Sequence, residues 1–188
     1  MKRLSLLLIL LLITAFAAIA NTQTDVLKVS RKAVRALKNK DFATLAAMTH
    51  PVKGVRISPG EYISPDGHQR FKRAKVASLW SDPKAYQWGL NENSGDPIRM
   101  RFSRYYSTYI YDNNYVAAPE IRFDENKPRE HTTDSNIPDV YPKAKVVHFH
   151  FPETVKDNPM SWKSLLLIFE KSGKVWYLVG ISHGEWTI

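Results

Sequence analysis

The chain has 188 residues, 44% of them hydrophobic and 24% charged, a balance that suits one globular domain with a core of its own. It contains no cysteine, which excludes disulfides, thiolate metal sites and a lipidated cysteine anchor. The formal net charge of +9 favours weak attraction to anionic envelope polymers or lipid headgroups, but the basic residues are scattered, as on an ordinary solvated surface.

The first 20 residues have the features of a secretory signal peptide. Lys2-Arg3 supplies a positive start, residues 4–13 form an apolar core, and Ala18-Ile19-Ala20 fits the A-x-A cleavage pattern. A transmembrane helix needs about 20 apolar residues, more than this run offers, so an uncleaved anchor is the less favoured alternative. We therefore predict a single domain over residues 21–188, periplasmic or secreted, without stable membrane insertion and without a nucleic-acid partner.

The N-terminal part of the mature chain is predicted to be mainly helical. Residues 21–38 carry apolar side chains at helical spacing, with Thr24 as N-cap. Asp41 is predicted to cap a second short helix, which ends at Thr49-His50-Pro51 because the residue before a proline is disfavoured in the α region. There a His50 imidazolium would satisfy the last-turn carbonyls. The next predicted elements are a strand at 52–58 and a basic helix at 69–80.

Beyond residue 81 the patterns predict mainly strands. Ile98, Met100 and Phe102 alternate with Arg99 and Arg101, which is typical of a half-buried strand. The other predictions are an extended segment at 86–88, an aromatic helix at 103–111, a brief strand at 121–123, a loop at 124–142 and a strand at 143–151.

The last 27 residues are predicted to contain a β-hairpin. Two apolar runs, Leu165–Phe169 and Val175–Val179, are separated by Ser172-Gly173, a pair typical of tight hairpin turns. With that pair as the loop, Phe169 would face Trp176. Both faces of the hairpin are apolar, which predicts a central position covered on both sides. Helices followed by strands predict an α+β domain, with the helices on one face of a mainly antiparallel sheet.

Several stretches carry a resemblance to known families. The opening Val34-x-Ala36-Leu37-x-Asn39-Lys40-Asp41-Phe42 with His50-Pro51 resembles the first helices of NTF2-like (SnoaL-like) domains, and Lys174–Ile181 resembles their last strand. The exported part also resembles a family of uncharacterised secreted bacterial proteins, through Gly54-Val55, Trp88-Gly89, Gly95-Asp96-Pro97-Ile98 and His183-x-x-Trp186-Thr187-Ile188. The resemblance implies a curved sheet that wraps the helices into a cone with a pocket, closed by the C-terminal hairpin. Gly180 would provide the bend.

His148 and His150 form the sharpest candidate pair. Residues two apart on a strand project from the same face, so both imidazoles could meet one ligand or metal. Zinc needs three or four ligands, and no third residue has a diagnostic spacing. Our main interpretation therefore places both histidines on a solvent-exposed face, with Val147, Phe149 and Phe151 inward. No metal site and no cofactor are predicted.

His183 ends a strand face that takes every second residue from Val175 to Ile181, with Glu185 close behind. If that face lines a pocket, a histidine beside a carboxylate at its rim could transfer protons near neutral pH. NTF2-like isomerases and dehydratases use such pocket acids and bases. We prefer the alternative that His183 is a structural residue closing the strand end.

Two further features could bind a ligand. Arg99 and Arg101 share one strand face and could clamp a carboxylate or phosphate, although a solvated sheet face is the simpler interpretation. Trp88 lies beside a turn, where an aromatic ring could stack on a sugar, although core packing is the default for tryptophan.

These features together predict an exported, non-catalytic envelope domain that binds a small ligand or partner through a pocket or its basic surface. The candidate ligand-binding residues are Trp88, Arg99, Arg101, His148, His150 and His183. The alternatives are a small-pocket acid–base enzyme of the isomerase or dehydratase type, and a structural accessory protein that forms homodimers through an open sheet face. No G-x-S-x-G, H-E-x-x-H or P-loop motif occurs, so a serine or cysteine nucleophile is not predicted.

Overall fold

The computed structural model describes residues 21–91, 94–123, 135–153 and 161–185. The predicted signal peptide, residues 124–134 of the predicted loop, and Trp186 lie outside these ranges. Among the described helices, none combines the length and the apolar character that crossing a membrane requires.

The helices are short except for the first. They are α1 (residues 21–38), α2 (Phe42–Met48), α3 (Arg73–Ser78), α4 (Phe102–Tyr105) and α5 (Ile137–Val140), with 3₁₀ turns at Leu79–Ser81 and Tyr115–Ala117 and a π-helical segment at Tyr106–Ile110. Thr24 lies inside α1, so its prediction as N-cap is wrong. The cap of α2 is confirmed, because Asp41 Oδ1 accepts a hydrogen bond from the Thr44 N–H at 2.9 Å.

The end of α2 is at the predicted place but uses different chemistry. The helix stops at Met48, before Thr49-His50-Pro51. The imidazole of His50 accepts hydrogen bonds on Nδ1 from the N–H groups of Val52 and Lys53, at 3.2 and 3.0 Å, and does not donate to helix carbonyls. Burial lowers the pKa of His50, in keeping with this neutral acceptor role. The cation at the helix end is instead Arg73, which donates to the Thr49 carbonyl.

The strands form one mixed sheet and one hairpin, which makes the domain α+β. They are β1 (Val55–Ser58), β2 (Arg70–Phe71), β3 (Ala85–Leu90), β4 (Pro97–Arg101), β5 (Glu120–Phe123), β6 (Lys145–Phe151), β7 (Lys163–Ser172) and β8 (Val175–Glu185). Six of them have the order β2-β1-β8-β7-β6-β5, in which only the β1–β8 pair is parallel. Strands β3 and β4 pair separately. The predicted helix at 69–80 begins late, because Phe71 pairs with Val55 in the sheet.

The C-terminal hairpin is confirmed, but its predicted register is wrong. Ser172 pairs with Val175, so the turn is Gly173-Lys174, and Gly173 takes the positive φ of 60° that such a turn requires. Trp176 therefore faces Lys171 rather than Phe169. Both Ser172-Gly173 and Gly173-Lys174 fit a two-residue hairpin loop, and the sequence alone does not distinguish between them.

A bulge interrupts this hairpin near its middle. Ile168 pairs with Gly180 while Phe169 pairs with Leu178, which leaves Val179 as an extra residue. At Gly180 a Cβ atom would lie 2.7 Å from Ile168 Cδ1, so glycine lets the Ile168 side chain pack against the backbone of β8 without a shift. The bulge breaks the predicted alternation along β8: Ile181 packs in one core and Val179 in the other.

The sheet is buried on both faces, as the apolar character of the hairpin predicts. The first face packs against the helices and the β3–β4 hairpin, and includes Val147, Phe149, Leu165, Leu167, Phe169 and Ile181. The second face carries a smaller core of Ile63, Ile137, Tyr141, Val146, Leu166, Ile168 and Val179. Asn136 fastens this second layer, because its side-chain amide exchanges two hydrogen bonds with the backbone of Ile63.

Candidate functional site

A cluster of polar side chains lies where the helix-facing side of the sheet meets the turn after the π-helical segment. We call Asp112, Tyr115, Lys163, His183 and Glu185 the Asp112 cluster. Lys163 pairs with Glu185, and Leu165 pairs with His183 two residues further along β7. Because side chains two residues apart on a strand share a face, Lys163, Glu185 and His183 lie on the same face of the sheet. The turn at Asp112 brings its carboxylate onto that face.

Asp112 is the centre of the contacts. Its Oδ2 atom forms an ion pair with Lys163 Nζ and lies 3.3 Å from His183 Nε2. Its Oδ1 atom accepts a hydrogen bond from the Tyr115 hydroxyl at 2.7 Å. Glu185 is close enough that one ligand atom from each of Asp112, His183 and Glu185 lies within 4.8 Å of the others.

The charges of the cluster are set by these contacts. Burial on its own raises the pKa of Asp112, but the nearby His183 imidazole, together with the contacts from Lys163 and Tyr115, holds that pKa well below its usual range. Burial and the neighbouring Asp112 charge raise the pKa of the Tyr115 hydroxyl far above its ordinary value. At neutral pH Asp112 is therefore a carboxylate and Tyr115 is a hydrogen-bond donor.

His183 is the residue with unused capacity. Its side chain is completely buried, and among the described residues neither ring nitrogen makes a hydrogen bond of good geometry. The edge of the Tyr109 ring packs against it, with ring centroids 6.1 Å apart. A buried imidazole beside a carboxylate can hold a proton, accept one or bind a cation.

A second candidate site is a cleft of about 670 Å³ between the 59–69 segment and β3. Its lining residues are Pro59, Tyr62, Ser64, Asp66, Gly67, His68, Gln69, Gln87, Gly89 and Leu90. The Gln69 side chain donates to the Gln87 carbonyl at 2.7 Å, which ties the two walls together. None of the residues of the Asp112 cluster lines this cleft.

His68 is the titratable group with the largest perturbation in the cleft. Its Nδ1 atom accepts a hydrogen bond from the Ser64 N–H at 3.1 Å, so the neutral ring carries its proton on Nε2. Burial and the nearby charge of Arg56 lower the pKa of His68 to about 4. At Gly89, with a φ of 130°, a Cβ atom would lie 2.9 Å from this imidazole, so glycine allows the ring to lie against the strand.

The shifted pKa of His68 gives a test of its environment. Because the folded pKa is about 4 and the ordinary value is 6.5, the unfolded chain binds this proton more readily, so stability falls as the pH drops through that window. His68 is partly solvent-screened, and we expect a contribution of about 1–2 kcal/mol. His68→Asn keeps an acceptor for Ser64 but does not titrate, so urea unfolding at pH 7 and pH 4 should show a smaller loss in this variant. An equal loss in both proteins would contradict the assignment.

Arg99 and Arg101 are exposed on the β3–β4 hairpin, beside the cleft. Arg99 is the cross-strand partner of Gln87, a lining residue, and Arg101 is the partner of Ala85. Paired residues of antiparallel strands share a face, so both guanidinium groups extend the polar surface beyond Gln87. The predicted alternation of this strand is confirmed, because Ile98 and Phe102 are buried.

Trp88 is placed in the core. Its side chain is fully buried, its Nε1–H donates to the Met100 carbonyl at 2.8 Å, and its ring stacks on Tyr105 with centroids 4.1 Å apart. Its neighbour Gly89 lines the cleft, so Trp88 supports one wall of the site from behind. Direct contact between Trp88 and a ligand stays a prediction.

The solvent-exposed position expected for His148 and His150 is wrong. Both are buried, on the face of β6 that the second core covers, and Nδ1 of His150 lies 2.7 Å from the Ser164 hydroxyl. The inward direction of Val147 and Phe149 is confirmed. The second core on this face draws on Ile63 and α5, whose sequences have no periodicity that would have predicted a covering layer.

Asp112, Tyr115, Lys163 and His68 are among the residues of the candidate sites that were not selected from the sequence. Asp112 follows an aromatic helix and has no motif around it. Lys163 belongs to β7, and the sequence pattern of that strand does not show which of its faces carries polar residues. His68 directly follows the Pro65-Asp66-Gly67 turn, and that turn is the one feature of the sequence that could have drawn attention to it. Gly89, which lies against the His68 ring, is brought there by the fold.

Comparison of the chain with protein-family models, with curated proteins and with solved structures found no match in any of the three. The resemblance to NTF2-like domains and to secreted bacterial proteins accordingly stays a prediction.

Proposed function

We propose that this chain is an exported, non-catalytic envelope domain that binds a small ligand in the cleft beside His68. The observation that carries the proposal is the size of the cleft, about 670 Å³. This lies within the range of about 300–1,000 Å³ that small-molecule sites occupy. The cleft also combines apolar walls with a few polar groups that can orient a ligand.

The polar groups around the cleft favour a ligand with one anionic group and an uncharged polar body. Arg99 and Arg101 stand side by side on the face that continues from Gln87, an arrangement suited to a carboxylate or phosphate. Inside the cleft, His68 is neutral at physiological pH and offers its Nε2–H as a donor, and Gln69 adds an amide. The net positive charge of the chain steers such a ligand towards the protein.

The proposal includes an NTF2-like arrangement, in which the six-stranded sheet curves around the N-terminal helices as a cone. The bulge at Val179 supports it, because a bulge bends and twists the strand that contains it. The glycine at position 180, which permits a close approach to Ile168, supports the same bend. The buried helix-facing side of the sheet is the inner surface that a cone requires.

Ligand binding is tested by calorimetry and thermal shift on the purified protein. The probes are succinate, citrate and inorganic phosphate, with glucose as the uncharged comparison. We expect at least one anion to bind and Arg99→Gln/Arg101→Gln to weaken it about tenfold, since a bidentate charged contact is lost. The matched control, Arg31→Gln/Arg35→Gln, removes the same charge from the exposed side of α1 and should leave affinity within a factor of two or so of the parent. Equal weakening by both pairs would point to a general charge effect and sink the cleft assignment.

An acid–base enzyme is the second candidate, favoured by one observation: the imidazole of His183 lies 3.3 Å from the Asp112 carboxylate, both in buried positions. Incubation of any bound probe with the protein, followed by proton NMR, separates the two functions. An unchanged spectrum supports binding, and a converted ligand supports catalysis. For the structural accessory alternative, light scattering after size exclusion would show a dimer.

A further inference from the structure

We propose that Asp112, His183 and Glu185 form a binding site for a divalent transition-metal cation of the zinc class. The three residues supply one imidazole nitrogen and two carboxylate oxygens, and the candidate ligand atoms lie within 4.8 Å of one another. Open zinc sites have three protein ligands and a free position, and both imidazole nitrogen and carboxylate oxygen are ligands that zinc accepts. The mixture of nitrogen and oxygen favours zinc and its transition-metal neighbours over magnesium or calcium, which prefer oxygen alone.

The second observation is the state of His183. Its ring is completely buried, and neither of its nitrogens makes a hydrogen bond with the described residues. Buried polar groups in folded proteins are almost always paired, because removing them from water without a partner is unfavourable. Nε2 lies 3.3 Å from the Asp112 carboxylate, and a cation bound by both groups would satisfy them.

The charge of the cluster also suits a cation. Two carboxylates, Asp112 and Glu185, lie beside one ammonium group, Lys163, so carboxylates outnumber ammonium groups in the cluster. Lys163 now pairs with the same Asp112 oxygen that faces His183, and it is the cross-strand neighbour of Glu185. The Lys163 ammonium group thus lies where the proposed metal ion would bind. Its side chain is 37% exposed, so it can swing into solvent when a metal ion takes that place.

This placement of Lys163 makes a prediction of unusual sign. Removing a metal ligand weakens binding, but removing Lys163 should strengthen it, because a competing positive charge disappears. We expect Lys163→Met to bind zinc about tenfold more tightly than the parent. His183→Leu and Glu185→Gln should each weaken binding by about tenfold or more. Glu153→Gln, which alters an exposed carboxylate elsewhere on the chain, serves as the control and should leave the affinity unchanged.

The measurement is calorimetric titration of the full, chelator-treated protein with zinc chloride at neutral pH, with circular dichroism to confirm that each variant is folded. A single site per chain with the pattern above supports the proposal. Absence of binding, binding that survives His183→Leu, or weaker binding by Lys163→Met would overturn it. If the His183 variant does not fold, Glu185→Gln and Lys163→Met decide the question, because their opposite effects on affinity do not depend on it.

The zinc site and the cleft are tested independently. Arg99→Gln/Arg101→Gln should leave zinc affinity unchanged, and Lys163→Met should leave the binding of the anionic probes unchanged. A protein that binds no probe anion but binds zinc with this variant pattern would therefore refute the proposed function and retain the metal site. A protein that binds a probe anion but does not bind zinc would refute the metal site and retain the proposed function.

Discussion

Replacing Trp88 with alanine is expected to lower the free energy of unfolding by about 3–5 kcal/mol, the range for large aromatic truncations in a core. The side chain is completely buried and stacks on Tyr105, and the tilted rings of Phe71 and Phe102 have their centroids 5.8 and 5.9 Å from the centroid of its ring. Truncation would open a cavity in this group and leave the Met100 carbonyl without its indole donor. Urea unfolding followed by circular dichroism measures the change.

Trp80→Ala is the matched control for this result. Trp80 also has aromatic neighbours, since it stacks on Phe42 and meets Tyr106 edge-to-face, but it is 37% exposed, so less buried apolar surface is lost when it is removed. We expect a loss of about 1–2 kcal/mol. If the two truncations were equally costly, Trp88 would not be the centre of the aromatic core. A Trp88→Phe variant, which keeps a ring, should fall between the two.

Local patterns in the sequence predicted the elements that depend on near neighbours. The cap at Asp41 needs only a carboxylate three residues before a free N–H, and the alternation from Ile98 to Phe102 needs only the two-residue period of a strand. The hairpin of β7 and β8 follows from two apolar runs and a glycine. Each of these signals is complete within about ten residues, and for that reason each could be read from the chain.

Features that depend on distant segments could not be predicted in the same way. By spacing, His148 and His150 fit a solvent-exposed strand face, but the structure buries both on the face of β6 that carries the second core. Phe71 fits a helix by spacing, but its pairing with Val55 draws it into the sheet. Val55 lies 16 residues from Phe71, and Ile63, which belongs to the second core, lies 85 residues before His148, so no local pattern predicts either association.

The candidate sites show this limit most clearly. The proximity of His183 and Glu185 was expected from their spacing on a strand. Asp112, whose carboxylate lies beside His183, belongs to a turn that carries no sequence motif. The bulge at Val179 added a further change, because it moved Val179 and Ile181 to different faces. Charge and hydrogen bonding at the site therefore depend on tertiary structure.

Replacing Asp112 with alanine is expected to cost about 3–5 kcal/mol of stability at neutral pH, measured by urea unfolding in the presence of a chelator. The side chain is 7% exposed, and its two oxygens serve Tyr115, Lys163 and His183. Lys163 can turn to solvent when its partner is lost. The buried Tyr115 hydroxyl cannot, and it loses its hydrogen-bond acceptor, while the buried His183 ring loses the carboxylate beside it, so these two groups carry most of the cost.

Asp82→Ala distinguishes this effect from the loss of an ordinary ion pair. Asp82 also pairs with a lysine, Lys75, and accepts a hydrogen bond from a tyrosine, Tyr86, at 2.6 Å, but no buried histidine depends on it. A clearly smaller loss in this variant would show that the cost at Asp112 comes from stranding His183 and Tyr115. Asp112→Asn adds the last distinction: it keeps an acceptor for Tyr115 while removing the charge, so it should recover part of the loss. If Asp112→Ala, Asp112→Asn and Asp82→Ala all had the same stability, Asp112 would contribute no more than an ordinary ion pair at the surface. The electrostatic basis of the metal site would then be lost as well.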